Sequence, residues 1–352
     1  MRSFLKYQQK GNSNETKLQK HARFCEKYFC IFNSNAPPIS QNSNTPNNHP
    51  LLSILIPTYN RLSQLKRAVD SVLSQNYNNE FCGKVELIVQ DNCSTDGSFE
   101  YLQSIKNPLL KAYQNPQNLH LYGNMVAPLK NANGKFVMYL TDDDYLMPRS
   151  LHKILAILQE DNYDYIRLNL ITFLEKSIGA FVHRNFTKIL TSNTATTQEL
   201  ASMLLSAHIL TGNIYRKSRI DLKMIEQARD DEIKRWFAYV VLSIAMADNM
   251  LFVPDVMIMH TWENELFWDG EECSDDYKKY SVVTDALYRV FAESNLDSAL
   301  KRAIFIIEDP NIKLYPYTMQ FLTKRDIFKA NIRRSIIKNG VKFKKMVKRI
   351  IF

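Results

Sequence analysis

Three polar segments, each directly after an apolar run, hold the residues best suited to chemistry. They are Pro57-Thr58-Tyr59-Asn60-Arg61, Asp91-Asn92-Cys93-Ser94-Thr95-Asp96-Gly97 and Thr141-Asp142-Asp143-Asp144. Three adjacent carboxylates repel one another and are costly unless something positive binds them. A hard divalent cation suits them: Mn2+ or Mg2+ typically takes one or two protein carboxylates and completes its shell with water and phosphate oxygens. In an extended segment successive side chains alternate sides, which predicts Asp142 and Asp144 pointing one way and Asp143 the other. The competing reading is an Asp-rich turn capping the helix that begins near Pro148. The second segment suits the base and ribose of a nucleotide, since carboxylate and amide groups such as those of Asp91 and Asn92 pair with an imide N–H and sugar hydroxyls. Against it stands an N-cap cluster for the following helix. Asn118–Asn124 is a polar stretch able to approach the same ligand, or simply a loop.

These segments need a scaffold that brings them to one place. Leu52–Ile56, Val85–Val89, Leu110–Tyr113 and Phe136–Leu140 are short apolar runs of strand length. Between them, Leu62, Leu65, Val69, Val72 and Leu73 recur at helical spacing, and helices are predicted over Gly97–Ile105 and Tyr122–Ala132. Pro148 opens a further helix with Leu151, Ile154, Leu155 and Leu158 on one side. Strands alternating with helices predict right-handed βαβ units and a mostly parallel sheet. In such sheets ligands bind beyond the carboxyl ends of the strands, where all three polar segments fall. Beyond residue 160 the pattern is less regular: Tyr163–Leu170, Ile209–Tyr215, Met250–Val253 and Val256–Met259 read as strands and Ile233–Ala247 as a helix.

Composition bounds the class. The chain has 352 residues, 45% hydrophobic and 23% charged, which is ordinary globular composition. Five cysteines without a CxxC pair indicate neither a zinc cage nor a disulfide framework and fit reduced thiols in a cytosolic compartment. The first residues, MRSFLKYQQKGNSNETK, lack the apolar core of a secretory signal, and no apolar run approaches the ~18 residues of a membrane span. Net charge is +9, yet residues 324–352 alone hold eleven Lys/Arg and one Asp. The other 323 residues carry 34 basic and 35 acidic groups, so the body lacks the basic field expected of a nucleic-acid binder. Asn33–Pro50, where 13 of 18 residues are Asn, Ser or Pro, reads as a flexible linker.

The runs LSILIPTYNR (52–61), VELIVQDNCSTDG (85–97), NPQNLHLYGN (115–124) and GKFVMYLTDDDYLMP (134–148) resemble, in order and spacing, the nucleotide-binding half of the family 2 glycosyltransferases, with a weaker echo in LTGNIYRKS (210–218). The resemblance implies a GT-A (Rossmann-like) α/β fold, a mostly parallel sheet flanked by helices, and an inverting transferase with a nucleotide-sugar donor and a DxD-type metal site. Matched motif to motif, it implies Pro57, Thr58 and Asn60 lining the base pocket, Asp91 contacting the base and Asn124 beside the nucleotide. Asp142 and Asp143 then serve ribose and metal. Thr141 stands where many members have the first Asp of the DxD, which makes Asp143 the main metal ligand with Asp142 assisting. The catalytic base is sought at Asp231 and Asp230, before a helix containing Trp236. Acidic residues also favour helix N-termini for dipole reasons alone. The rival segment runs from His260 to Asp269, with Glu263, Glu265 or Asp269 as base, Trp262 or Trp268 stacking on a sugar, and His260 as a third metal ligand or an ordinary hydrogen-bonded histidine.

This reading divides the chain into an N-terminal helical extension (1–32), the linker (33–50), a nucleotide-sugar-binding half (51–160), an acceptor-binding half with helices (161–323) and a basic tail (324–352). The tail intersperses Ile332, Ile336, Ile337, Val341, Phe343, Val347, Ile350 and Ile351 among its cations. Such a basic amphipathic helix predicts an anchor on an anionic membrane surface, against a docked or solvated helix end. The expected function is transfer from a UDP-sugar to a glycan or lipid-linked acceptor in cell-surface polysaccharide or oligosaccharide synthesis, peripherally on the cytoplasmic face of the membrane. The alternatives are a nucleotidyltransferase making sugar nucleotides, which needs a glycine-rich phosphate loop not found here, and a non-catalytic membrane-associated binding protein.

Overall fold

The computed structural model describes residues 49–174, 177–182, 189–227, 232–262, 287–307, 316–329 and 331–332. The expected extension (1–32), nearly all of the linker, and the tail from residue 333 lie outside them. β1 (Leu52–Thr58), β2 (Val85–Asp91), β3 (Leu110–Gln114) and β4 (Phe136–Tyr139) pair in parallel in the order β3-β2-β1-β4. β1 is apolar almost throughout because it lies between two strands and is covered on both faces. β2 carries polar residues, among them Glu86, a buried carboxylate satisfied by Ser53 Oγ, Lys111 Nζ (2.6 Å) and the Asn133 N–H (2.6 Å).

The crossovers are helical where the spacing predicts. α1 (Leu62–Leu73) buries Leu65, Ala68, Val69 and Val72. α2 (Ser98–Ser104) and α3 (His120–Asn131) follow β2 and β3. α4 (Ser150–Gln159) buries Leu151, Ile154, Leu155 and Leu158, but starts two residues after Pro148, because Arg149 takes a left-handed φ of 64°.

The sheet does not stop at residue 160. β5 (Tyr145–Leu146), β6 (Tyr165–Leu174), β9 (Asn213–Arg216) and β10 (Met250–Trp262) extend it as β4-β9-β6-β10-β5, with β7 (Ser177–Val182) on β6 and β8 (Leu190–Thr191) on β10. β6 and β10 are parallel partners; β9 runs antiparallel to both β4 and β6. Its amino end therefore meets the edge where β1, β2 and β4 finish. The predicted strand over Ile209–Tyr215 begins only at Asn213, and the residues before it form a loop. The two predicted runs 250–253 and 256–259 are one strand with an irregularity between them. Gly212 makes the turn into β9 at φ +84°, where a Cβ would sit 2.6 Å from Ile258 Cδ1 and 3.0 Å from Arg167 Nη1.

Chain contacts define two compact units. The first comprises residues 1–191, 209–226 and 249–271 and contains the sheet. The second comprises residues 192–208, 227–248 and 272–352. It includes α5 (Thr197–Ser206), opened by a Thr196–Glu199 capping box, α6 (Glu232–Ala245) and α7 (Ser298–Ile307). Phe305 of α7 packs its ring against Tyr288 and Phe321. Among the described residues no helix is long and apolar enough to cross a membrane.

Candidate active site

Thr58 links the polar segments. It ends β1 in register with Asp91 of β2, and its carbonyl accepts the Asn92 N–H (3.0 Å) and Asn124 Nδ2 (3.1 Å). Its hydroxyl donates to Asp142 Oδ2 at 2.8 Å. Asp91 and Asp142 thus both meet Thr58 at the end of β1, one in register with it and one through its hydroxyl.

Asp91 is fully buried. Its Oδ2 accepts the Ser94 N–H (2.9 Å) and Gln114 Nε2 (3.0 Å), while Oδ1 is buried without a hydrogen-bond partner. An unsatisfied buried acceptor costs ~1–3 kcal/mol, and more when charged, so this oxygen is poised for a ligand N–H. The neighbouring polar residues are occupied differently. Asn92 donates to Asn118 Oδ1 (2.7 Å) and accepts from Asn115 Nδ2 and the Leu119 N–H (2.9 Å each), which fixes the 115–119 loop. Asn124 receives Asn115 Nδ2 at 3.0 Å. Asn60, at φ 51°, donates its N–H to Ser94 Oγ and accepts the Thr95 N–H at 2.8 Å, tying the loop after β1 to the loop after β2. Asp96 accepts the Leu62 N–H that opens α1 and the Ser98 N–H that opens α2. Pro57 is half-buried at the end of β1.

The acidic triplet departs from the expected alternation. Residues 141–144 form a turn in which the Asp144 N–H donates to the Thr141 carbonyl (3.0 Å), so two-fold strand geometry does not apply. Asp142 Oδ1 and Asp143 Oδ2 share one donor, Arg61 Nη1, at 3.1 Å each. Asp144 turns the other way: it is fully buried and accepts His260 Nδ1 (3.0 Å), the Thr261 N–H (2.9 Å) and the Thr141 hydroxyl (2.8 Å). Burial works against the Asp144 charge, but the His260 imidazole, with the Thr211 hydroxyl and the Thr261 N–H, holds its carboxyl below the usual range. Burial likewise disfavours the His260 charge, and Asp144 overcomes it and raises the imidazole. Asp143 is pushed up to about 7 by burial and then by repulsion from Asp144 and Asp142, with Arg61 opposing. Burial also raises Asp142, against Arg61 and Thr58. Arg61 and His260 face this turn, and the buried Arg167 lies within electrostatic reach of both Asp144 and His260.

Oxygen-only donors at Asp142 and Asp143 fit a hard cation that draws the rest of its shell from water and phosphate oxygens. Among the described residues there is no group of three or more His, Cys, Asp or Glu arranged to hold a metal by itself.

Three residues carry contacts that the sequence left without a role. Arg61 lay inside a quoted motif. Thr211 Oγ1 accepts the Thr141 N–H (3.0 Å) and lies 2.8 Å from the Thr141 hydroxyl. Arg167, buried on β6, donates Nη1 to the Thr211 carbonyl at 2.7 Å and so braces the loop that braces the acidic turn. Its one sequence signal was a charge inside an apolar strand. Asp230, Asp231, Glu263, Glu265, Trp268 and Asp269 lie outside the described residues.

The family model for glycosyl transferase family 2 matches residues 53–218. Over 95 residues the chain is 33% identical to UDP-Glc:alpha-D-GlcNAc-diphosphoundecaprenol beta-1,3-glucosyltransferase WfaP of Escherichia coli, covering 27% of this chain and 36% of that one. Over 121 residues it is 30% identical to poly(ribitol-phosphate) beta-N-acetylglucosaminyltransferase TarS of Staphylococcus aureus, covering 34% and 20%. The crystal structure of TarS residues 1–349 in complex with UDP-GlcNAc superposes with a TM-score of 0.51 at 19% identity, covering 73% of this chain and 71% of that one. The mannosyltransferase PcManGT of Pyrobaculum calidifontis, in complex with GDP-Man and Mn2+, superposes at 0.50 and 13% identity over 93% and 89%. The chain spans less than half the length of the curated relatives it matches. Residues 53–218, which hold every contact described here except those made by His260 and Thr261, match glycosyl transferase family 2 and lie on a GT-A-like fold.

Proposed function

We propose that the protein is a metal-dependent, inverting glycosyltransferase that moves a sugar from a nucleotide-sugar donor, a UDP-sugar in the first instance, to a glycan or lipid-linked acceptor in cell-surface polysaccharide or oligosaccharide synthesis. The observation that carries the reading is the unpartnered, buried Asp91 Oδ1 on the same sheet edge as the Asp142–Asp143 pair, with Thr58 between them. Asp91 receives the imide N–H of the base, and the half-buried Pro57 and the buried Thr58 complete the wall of that pocket. Asn60, Asn92 and Asn124 hold the surrounding loops in place. Asp142 faces the ribose and assists Asp143, whose side chain is the more open of the two at 23% exposure against 8%. Asp143 and Asp142 would hold Mn2+ or Mg2+, which when bound supplies Lewis-acid stabilisation of charge on the departing diphosphate. His260 and Thr261 fix Asp144, and through it the turn that aims both ligands. A carboxylate on the acceptor side removes the proton of the attacking hydroxyl. We assign that role to Asp231 with Asp230, in the 161–323 region that the sequence reading gives to the acceptor. The donor names of TarS and PcManGT support a nucleotide sugar, and the WfaP name supports a diphospholipid-linked acceptor.

The basic tail places the enzyme on the inner face of the cell membrane. Its described beginning supports this: Phe328 (65% exposed) and Ile332 (43%) are exposed in the same stretch as exposed Lys324, Arg325 and Lys329. Binding to anionic vesicles that survives deletion of residues 324–352 would exclude this placement.

Transfer assays with UDP-, GDP-, CMP- and dTDP-sugars, with and without Mn2+ or Mg2+, test the reading. It expects cation-dependent transfer lost in Asp143→Ala. Full activity in that variant would remove the metal role, and donor binding without turnover against any acceptor would make the protein a binding module.

A further inference from the structure

The cation site proposed above already contains a cation. One nitrogen, Arg61 Nη1, lies 3.1 Å from Asp142 Oδ1 and 3.1 Å from Asp143 Oδ2, the two carboxylates assigned to the metal. A guanidinium presents five N–H donors in a rigid fork, and a hard divalent ion at those two oxygens needs the same lone pairs at a shorter distance. It would also have to tolerate a fixed positive charge at close range. The two cations therefore compete.

The chain is built so that the side chain can leave without disturbing the fold. The Arg61 carbonyl accepts the Leu65 N–H at 2.8 Å, and Asp96 accepts the adjacent Leu62 N–H at 2.8 Å, so the backbone is held at the start of α1. The Arg61 side chain is 35% exposed. An incoming diphosphate offers a guanidinium a new anionic partner while offering the metal new oxygen ligands.

We propose that Arg61 is a resident counter-cation that closes the Asp142–Asp143 site to divalent metal until a nucleoside diphosphate arrives, and so couples metal loading to donor loading. The inference rests on the proposed metal site and adds its regulation. Holding the carboxylates with an internal cation keeps the acidic turn folded when no donor is present and keeps free metal from filling the site by itself.

The test is Mn2+ binding, followed by titration calorimetry or by the paramagnetic resonance signal of free Mn2+, for the wild-type protein, Arg61→Gln and Arg61→Lys. It is run without nucleotide and then with saturating UDP or GDP. Without nucleotide, Arg61→Gln is expected to bind Mn2+ at least tenfold more tightly than wild type. Arg61→Lys, whose ammonium lacks the planar fork, should fall between them. With nucleotide present the difference should shrink below threefold, because the wild-type guanidinium has then moved. Equal or weaker Mn2+ binding by both variants without nucleotide overturns the proposal and leaves the metal site intact. Failure of every form to bind Mn2+, with or without either nucleotide, removes the metal site and the proposal with it. If the melting curve shows that Arg61→Gln is unfolded, the comparison of Arg61→Lys with wild type decides by the same criterion.

Discussion

Asp91→Asn is the substitution whose outcome the structure fixes most closely. Two N–H groups, from Ser94 (2.9 Å) and Gln114 (3.0 Å), point at Asp91 Oδ2. In the variant the amide oxygen must take that position, since an NH2 group there would face two donors. The NH2 then falls where Oδ1 lies, in the buried spot without a partner. A charged acceptor aimed at the ligand becomes a neutral donor of the same size. A hydrogen bond to a charged group contributes ~1.5–3 kcal/mol, so UDP should bind roughly 10- to 150-fold more weakly. The folded protein loses a buried unpaired charge, so its melting temperature should hold or rise. A base with an acceptor at that edge should gain: cytosine presents a ring nitrogen where uracil presents an N–H, so the ratio of UDP to CDP affinity should fall steeply. Calorimetric titration of both proteins with UDP and CDP, alongside thermal melts, measures all three quantities. Unchanged UDP affinity, together with a lower melting temperature, would refute the reasoning and make Asp91 a structural residue.

Asp143→Asn should lower cation-dependent turnover at least 100-fold, read as kcat with and without Mn2+, because the more open of the two metal carboxylates loses its charge. Glu86 gives a pH signature: burial opposes its charge, but Lys111, Ser53 and the Asn133 N–H hold its pKa below 4.5. With the folded value below the unfolded one, its contribution to stability is complete above pH ~4.5 and is lost as pH falls through the lower folded value. Urea midpoints from pH 7 to pH 3 should therefore fall less steeply in Glu86→Gln than in wild type. Gly212→Ala should destabilise by about 1–3 kcal/mol and weaken UDP–Mn2+ binding. Its Cβ meets Ile258 and the Arg167 guanidinium in a left-handed turn, and Arg167 holds the Thr211 carbonyl. Melting and binding measured on that variant should move together.

Neighbouring residues were enough to determine a great deal. The apolar run at 52–56, the helical spacing of Leu65, Val69 and Val72, and the alternation of such units depend on burial patterns read over a few residues. Once the strands are parallel, their carboxyl ends share one edge, and that brought residues 57–61, 91–97 and 141–144 together. The division of labour among Asp142, Asp143 and Asp144 was decided elsewhere. It depends on a turn at 141–144 and on partners far along the chain: Arg61, 81 and 82 residues away, and His260, 116 residues away. The roles of Thr211 and Arg167 depend on β9 running against its neighbours, which delivers the loop before it to the site. The free energy that makes a strand or helix is summed over adjacent positions and shows as periodicity. The pairing of two of these carboxylates with Arg61 and of the third with His260 is set by which elements pack side by side, and only the assembled sheet specifies that.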